Sequence, residues 1–361
     1  MPSLPIAARH GPNVDPIAAS RVRKPMAKSI QPAGVAETAA PSSRPTKPAE
    51  FPDILAWAAW LYFVDEMTQS EVAKAIGVSR VTVIKLLSDA KKSGLVSVRI
   101  NPTLASRVSV SRDLAARFGL NSVTLIPDNQ DAPLVERLGK VGAFALVEGL
   151  KPADVIGVAW GRTVLAVARN LLLETPVPDL TVVQVAPSPN GLSAAFSPEL
   201  CASLCANNLQ ARSVNLLAPA IVSSAELRAM LLQEPSIRNQ LDIIRSANKV
   251  LFGVGALDRA ATIRASELHG DNVIDQMVRD GAAASILGRF LAPDGRELIS
   301  PAHDRMMGIS LAEFVAIPTR LCVAGGAEKR AAISATLRGG YATDLVTDLP
   351  TAQALLADEP G

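Results

Sequence analysis

From residue 122 to the C-terminus, short apolar segments alternate with longer Ala- and Leu-rich ones, and this alternation restricts the fold more than any other feature. The apolar segments lie at 123–126, 155–159, 180–186, 214–217, 250–254, 321–324 and 344–346, and they read as strands without a polar face. Between them, 132–149, 162–173, 197–211, 224–246, 327–338 and 350–357 have helical character. A strand apolar on both sides must be covered on both sides, and helical crossovers between successive strands make them parallel. The expectation is an α/β domain over 121–361 with a doubly wound, mostly parallel sheet. With 361 residues, 48% of them hydrophobic, the chain is long enough for a second domain as well.

That second domain is expected at 51–102. Ile54, Leu55, Ala58, Leu61 and Tyr62 recur at helical spacing. The stretch "MTQSEVAKAIGVSRVTVIKLLSDAKKSGLVSVRI" (67–100) follows. Thr68 and Glu71 have capping-box spacing, and Val72, Ala73 and Ile76 form an apolar stripe. Gly77 supplies the positive φ that ends such a helix, and Ser79 can cap the next one. Val83, Ile84 and Leu87 give this second helix a face to bury. Ala73 is small where the two helices should cross. Two short helices joined by Gly-Val-Ser are the helix-turn-helix design, and the alternation over 95–100 suggests a strand closing it as a wing.

The polar face points to DNA. Arg80, Thr82 and Lys85 stand near the start of the second helix, the part that meets base edges in the major groove. Thr68, Gln69 and Ser79 complete the expected DNA-facing set. From Lys74 to Arg99 there are six Lys or Arg against one acid, Asp89. Such a local surplus neutralises phosphates even though the whole chain carries only +2. The bland alternative is a helical hairpin that packs on a neighbour and leaves its charges in water.

Other classes are disfavoured. Residues 1–50 hold nine prolines and few large apolar side chains, so they read as a disordered tail. Its Arg21, Arg23, Lys24 and Lys28 could touch an anionic polymer, although a solvated extension is the simpler reading. Apolar runs such as 54–64 are too short to span a membrane, and no secretory signal is visible. Cys201, Cys205 and Cys322 form no disulfide framework. Cys201 and Cys205 have a one-turn spacing that would suit a metal, but no His lies near them in sequence, and small buried residues are the plainer reading. No cofactor is expected, and a cytoplasmic setting fits. A helix over 103–120, with Leu114 and Phe118 one turn apart, would link the two domains.

Residues 68–100 resemble the helix-turn-helix of the SorC/DeoR-type sugar-binding transcriptional regulators. "VIGVAWGRTVLAVARNL" (155–171), "GAAASILGRFLAPDGREL" (281–298) and "CVAGGAEKRAAISATLRGGYATDLVTDLPTAQALL" (322–356) resemble the effector domain of the same family. The resemblance implies a winged helix-turn-helix followed by a domain similar to sugar-phosphate isomerases. It also implies a phosphorylated sugar as effector, a double-stranded operator as partner, and a homotetramer, with repressor the working reading and activator left open. Two positions depart from the family's habit: Ser285 stands where an acidic residue is usual, and Arg162 where a smaller one is.

The candidate effector residues follow from strand ends, where open α/β sheets bind ligands. Gly161, Arg162 and Thr163 lie between a strand and a helix whose N-terminus favours an anion. Gly325 and Gly326 precede a helix carrying Lys329, a point charge for phosphate. The run 253–258 is no dinucleotide fingerprint, since its sixth position is Asp258, a side chain suited to sugar hydroxyls. Ser285, and more weakly Asn190, complete the set. The expected function is a regulator of carbohydrate or polyol catabolism genes whose operator binding answers a phosphorylated sugar or polyol. An isomerase-like enzyme with a DNA-binding head is the rival. Its general base is hard to find, because His10, His269 and His303 are scattered.

Overall fold

The computed structural model describes residues 46–96, 102–126, 132–186, 188–189, 196–266 and 268–358. Residues 97–100 of the wing expected at 95–100, most of the expected tail and Asn190 lie outside the described residues. The chain divides between residues 98 and 99 into two compact units.

The first unit contains α1 (Ile54–Phe63), α2 (Gln69–Ile76) and α3 (Arg80–Lys92). The Asp53 side chain caps α1 by accepting from the Ala56 N–H at 2.7 Å. Thr68 and Glu71 form the full capping box of α2: the Thr68 N–H donates to Glu71 Oε2 at 2.8 Å, and the Glu71 N–H to Thr68 Oγ1 at 3.3 Å. Gly77 ends α2 at φ 71°, and Ser79 caps α3 by accepting from the Thr82 N–H at 3.1 Å. Trp57, Ala58, Val72, Ala73, Ile76, Val83 and Leu87 form one core. The expected packing of Ile84 is corrected here. Val83, Leu87 and Ala90 recur at i, i+4 and i+7 and take the buried face, so Ile84, one residue out of step, is 47% exposed.

The second unit opens with α4 (Pro102–Phe118), which buries Leu114 completely. Arg107 and Arg117 tie α4 down by donating to backbone carbonyls of Leu125, Ile126 and Leu356. There follow β1 (Ser122–Leu125), α5 (Leu134–Glu148), β2 (Val155–Val158), α6 (Arg162–Asn170), β3 (Thr181–Gln184), α7 (Pro198–Asn208) and β4 (Arg212–Val214). Then come α8 (Ala225–Leu231), α9 (Pro235–Arg245), β5 (Lys249–Phe252), α10 (Thr262–Ala265) and α11 (Asp271–Arg279). The chain continues through β6 (Ala284–Ile286), β7 (Arg289–Leu291), β8 (Glu297–Leu298) and α12 (Leu311–Val315). It closes with β9 (Thr319–Val323), α13 (Arg330–Arg338), β10 (Asp344–Thr347) and α14 (Leu349–Ala357). No helix among the described residues is long and apolar enough to cross a membrane.

Seven strands form one parallel sheet in the order β1-β10-β9-β5-β2-β3-β4, and β6, β7 and β8 form a separate antiparallel sheet. Alternate residues of each central strand serve opposite layers: Val250 and Phe252 pack with α9, α12 and α14, while Leu251 packs with α5, α6 and α7. Gly139 and Gly142 let α5 approach α6 closely. A Cβ on Gly139 would lie 2.7 Å from the Ala166 backbone.

Several expected elements differ in detail. The helix expected at 224–246 is two helices, α8 and α9, with Pro235 starting the second. The fourth strand is Arg212–Val214 rather than 214–217. The helix expected at 327–338 begins as a 3-10 turn over Ala327–Lys329 before α13. The antiparallel sheet, α10 and α12 are not expected from the sequence, since elements of two to five residues carry almost no periodicity, and the nine-residue α11 is a further addition.

The Gly139 contact makes a stability prediction. Gly139→Ala should cost about 1–3 kcal/mol by overpacking. Gly149→Ala should be nearly neutral, because its Cβ would meet only ordinary contacts at 3.8 Å and its φ is −88°. Thermal or urea unfolding of the two variants measures the difference.

Candidate effector site

β2 and β5 are neighbours, yet β2 leads toward β3 on one side and β5 toward β9 on the other. This is the topological switch point of the sheet, where open α/β folds leave a crevice beyond the strand ends. A cavity of about 250 Å³ lies there. That is just below the roughly 300–1,000 Å³ of drug-sized sites, so it suits a small ligand. Its walls come from the loop after β2, the loop after β5, the β6 hairpin and the turn after β9.

Each wall is held by identifiable contacts. Gly161 has φ 120° and forms the N-cap position of α6, where its carbonyl accepts from the Leu165 N–H at 2.9 Å. Arg162 follows at the helix start, exposed, with Nη2 3.5 Å from the Ala260 carbonyl, at the outer limit of a hydrogen bond. Gly255 and Ser285 exchange two backbone hydrogen bonds of 2.9 Å, which fasten the antiparallel hairpin to the end of β5. A Cβ on Gly255 would stand 3.2 Å from the Ser285 carbonyl, so a glycine keeps this approach close. Asp258 accepts from the Ala260 N–H at 2.8 Å. Arg264 braces that loop: Nε donates to the Asp258 carbonyl at 3.1 Å, while Nη1 and Nη2 meet Asp271 at 3.0 Å and Asp275 at 2.6 Å.

The cavity brings together Gly161, Arg162, Thr163, Asp258, Ser285 and Lys329. Thr163 and Ser285 are buried, and no hydrogen-bond partner meets either hydroxyl among the described residues. Lys329 is half-buried, and no acceptor engages its ammonium there. Burial, and then the nearby Arg162 guanidinium, hold its pKa below the ordinary lysine value; Glu328 and Asp258 oppose this more weakly. Gly325 and Gly326 are not part of the lining. They support it from beneath: the Gly326 N–H donates to Asp348 Oδ1 and to Thr351 Oγ1, each at 2.9 Å. A Cβ on Gly325 would collide with Asp348 Oδ1 at 2.2 Å.

Sequence reasoning missed Trp160 and Glu328 in the lining, and Arg264, Asp348 and Thr351 behind it. A signal existed for Asp348 and Thr351, whose three-residue spacing is that of a helix N-cap; the Asp348 side chain does accept from the Thr351 N–H at 3.1 Å. The remaining candidates are structural. His269 is buried, bonds the Gly288 carbonyl through Nε2 at 2.8 Å, and burial pushes its pKa down. Cys201 is buried and its thiol pKa is pushed up to about 12 by desolvation, which makes it unreactive. No group of three His, Cys, Asp or Glu among the described residues is arranged for a metal.

Comparison with known proteins establishes the family. Residues 103–357 match the family described as "Putative sugar-binding domain". The chain is 35% identical to the uncharacterized transcriptional regulator YjhU of Escherichia coli K12 over 84% of this chain and 94% of that one. It is 31% identical to the transcriptional regulator LsrR of Klebsiella pneumoniae, over 84% and 93% of the two chains. Among solved structures it is similar to the full-length sorbitol operon regulator SorC of Klebsiella pneumoniae, with a TM-score of 0.66 and 25% identity over 84% of this chain and 98% of that one. These relatives are regulators rather than enzymes. With this coverage and this sheet order, the chain belongs to the SorC family of sugar-binding transcriptional regulators.

Proposed function

We propose that the chain binds operator DNA through residues 51–102, and that a phosphorylated sugar or polyol in the cavity tunes this binding. The observation that carries the effector reading is the pair Arg162 and Lys329. Both cations face one cavity at the starts of helical segments, neither is engaged by a carboxylate, and Arg162 raises the cost of the Lys329 charge. An anion removes that cost, and a phosphate accepts from ammonium, guanidinium and backbone N–H groups at once. The hydroxyls of Thr163 and Ser285, with Asp258, offer partners to the hydroxyls of the same ligand. A neutral Ser285 favours a ligand that does not need a strong acceptor at that point, which suits a polyol phosphate.

On the DNA side, Arg80, Thr82 and Lys85 are exposed on the first turns of α3, and Arg80 Nε donates to Gln69 Oε1 at 3.3 Å, joining the starts of α2 and α3. Thr68, Gln69 and Ser79 stand where the two helix N-termini can meet phosphates. The ligand acts by favouring one arrangement of the DNA-binding units over another, and DNA must then favour the opposite arrangement or the same one. A cytoplasmic homotetramer acting as a repressor is the form this mechanism takes.

The deciding experiment is titration calorimetry of the full chain against sugar phosphates, polyol phosphates and their unphosphorylated parents. Phosphorylated compounds should bind and shift operator affinity; tighter binding of the free parents overturns the assignment. Lys329→Ala should weaken the phosphorylated ligand by roughly 10- to 100-fold, the loss of a charged hydrogen bond of about 1.5–3 kcal/mol, while leaving operator binding intact.

The lowered pKa of Lys329 adds a sign. As pH rises, its charge is lost earlier than that of an ordinary lysine, so anion affinity should decline on the alkaline side in the wild type and stay flatter in Lys329→Arg. Arg80→Ala should reduce operator affinity by about 1–3 kcal/mol in a mobility-shift titration, with ligand affinity unchanged.

A further inference from the structure

The most exposed part of α3 is not only cationic. Val81 is 76% exposed and Ile84 47% exposed, and with Lys85 and Ser88 they recur at i, i+3, i+4 and i+7, the spacing of a single helix face. Neither residue is explained by the fold. β-Branched side chains are poor helix formers, and outside the core they gain nothing from burial. The same helix buries Val83, Leu87 and Ala90 on its other side, so its attachment to α1 and α2 is already complete.

The surroundings of this apolar pair are charged in one sense. Arg80 and Lys85 border it, and Lys74, Lys91 and Lys92 lie on α2 and α3; of the two acids on these helices, Glu71 is engaged in the α2 capping box and Asp89 lies 4.0 Å from Lys92. A cationic rim around an apolar strip on a helix N-terminal half complements a duplex groove edged by phosphates. The major-groove edge of DNA offers one apolar group, the C5-methyl of thymine, which 5-methylcytosine shares.

Resting on the operator-binding reading above, we propose that Val81 and Ile84 are specificity-determining residues that read pyrimidine 5-methyl groups in the major groove. Three residues of helix advance about 4.5 Å, between one and two base-pair steps of about 3.4 Å. The two methyl contacts therefore fall on adjacent or next-adjacent base pairs of each half-site, and Arg80 and Lys85 supply the polar contacts beside them.

The test uses the full-length chain. Duplexes are selected from a random pool, and each thymine of the selected duplex is replaced in turn by deoxyuridine, which removes only the methyl. One or two replacements per half-site should weaken binding about four-fold each, the worth of one buried methyl group. Val81→Ala should abolish the thymine–uracil difference at one of these positions, and Ile84→Ala at the other. Neither variant should unfold below the wild-type temperature, since both positions are exposed and alanine is the better helix former. Equal binding of every uracil-substituted duplex overturns the proposal while leaving operator binding standing. Full discrimination retained in both variants also overturns it. A pool from which no duplex is enriched removes the operator-binding reading itself, and this inference with it.

Discussion

Where β2 and β5 lie side by side, the chain leaves their carboxyl ends in opposite directions, and no crossover fills the space between the two departing loops. The rest of the effector unit follows from that divergence. The helix after β2 points its N-terminus into the gap, and the loop after β5 crosses its floor. The antiparallel hairpin is fastened beside it by the paired backbone bonds of Gly255 and Ser285. Packing keeps the two strands adjacent. Gly157 in β2 has Val250 on one side and Val183 on the other as register partners, and a Cβ there would meet Val185 Cγ1 at 2.6 Å. A bulkier residue at Gly157 would press on Val185 and Val250, in the core layer shared with α9, α12 and α14.

Charge is distributed unevenly between framework and cavity. At the opposite end of the strands, buried Asp154 is fully engaged by Lys249 at 3.4 Å, the Asn248 amide at 2.8 Å and the Lys151 N–H at 2.7 Å. Arg264 and Arg320 are likewise surrounded by acceptors, Arg320 donating to carbonyls of Val315, Ile317, Gly340 and Tyr341. These groups repay their desolvation within the fold. Arg162 and Lys329 do not: neither forms an ion pair among the described residues, and Arg162 lies close enough to disfavour the Lys329 charge, an effect that Glu328 and Asp258 offset more weakly. The first unit repeats the pattern: its caps are satisfied internally, while the cations of α3 face outward.

Much of this was legible in the residues. The capping box of Thr68 and Glu71, the positive φ of Gly77 and the Ser79 cap act over three or four residues, so local chemistry decides them. The central parallel strands were recognisable because apolar runs covered on both faces look alike wherever they stand in the sheet, whereas the short, exposed edge strand Arg212–Val214 begins two residues before the apolar run expected there. Ile84 was misplaced because it adjoins Val83 in an apolar pair, and only the packing of α3 on α1 and α2 chooses which of the two is covered. Gly325 and Gly326 were expected to touch the ligand; their actual neighbours, Asp348 and Thr351, lie more than twenty residues later.

The sequence alone determined the class of each half: a capped, cationic helical pair, and an α/β sheet with glycine-rich turns at its strand ends. Tertiary structure decided which turns share a cavity. Arg162, Asp258, Ser285 and Lys329 come from four separate segments of the chain, and they meet because the strand order places β2, β5 and β9 together. Strand order depends on how distant faces pack, and no local propensity encodes it.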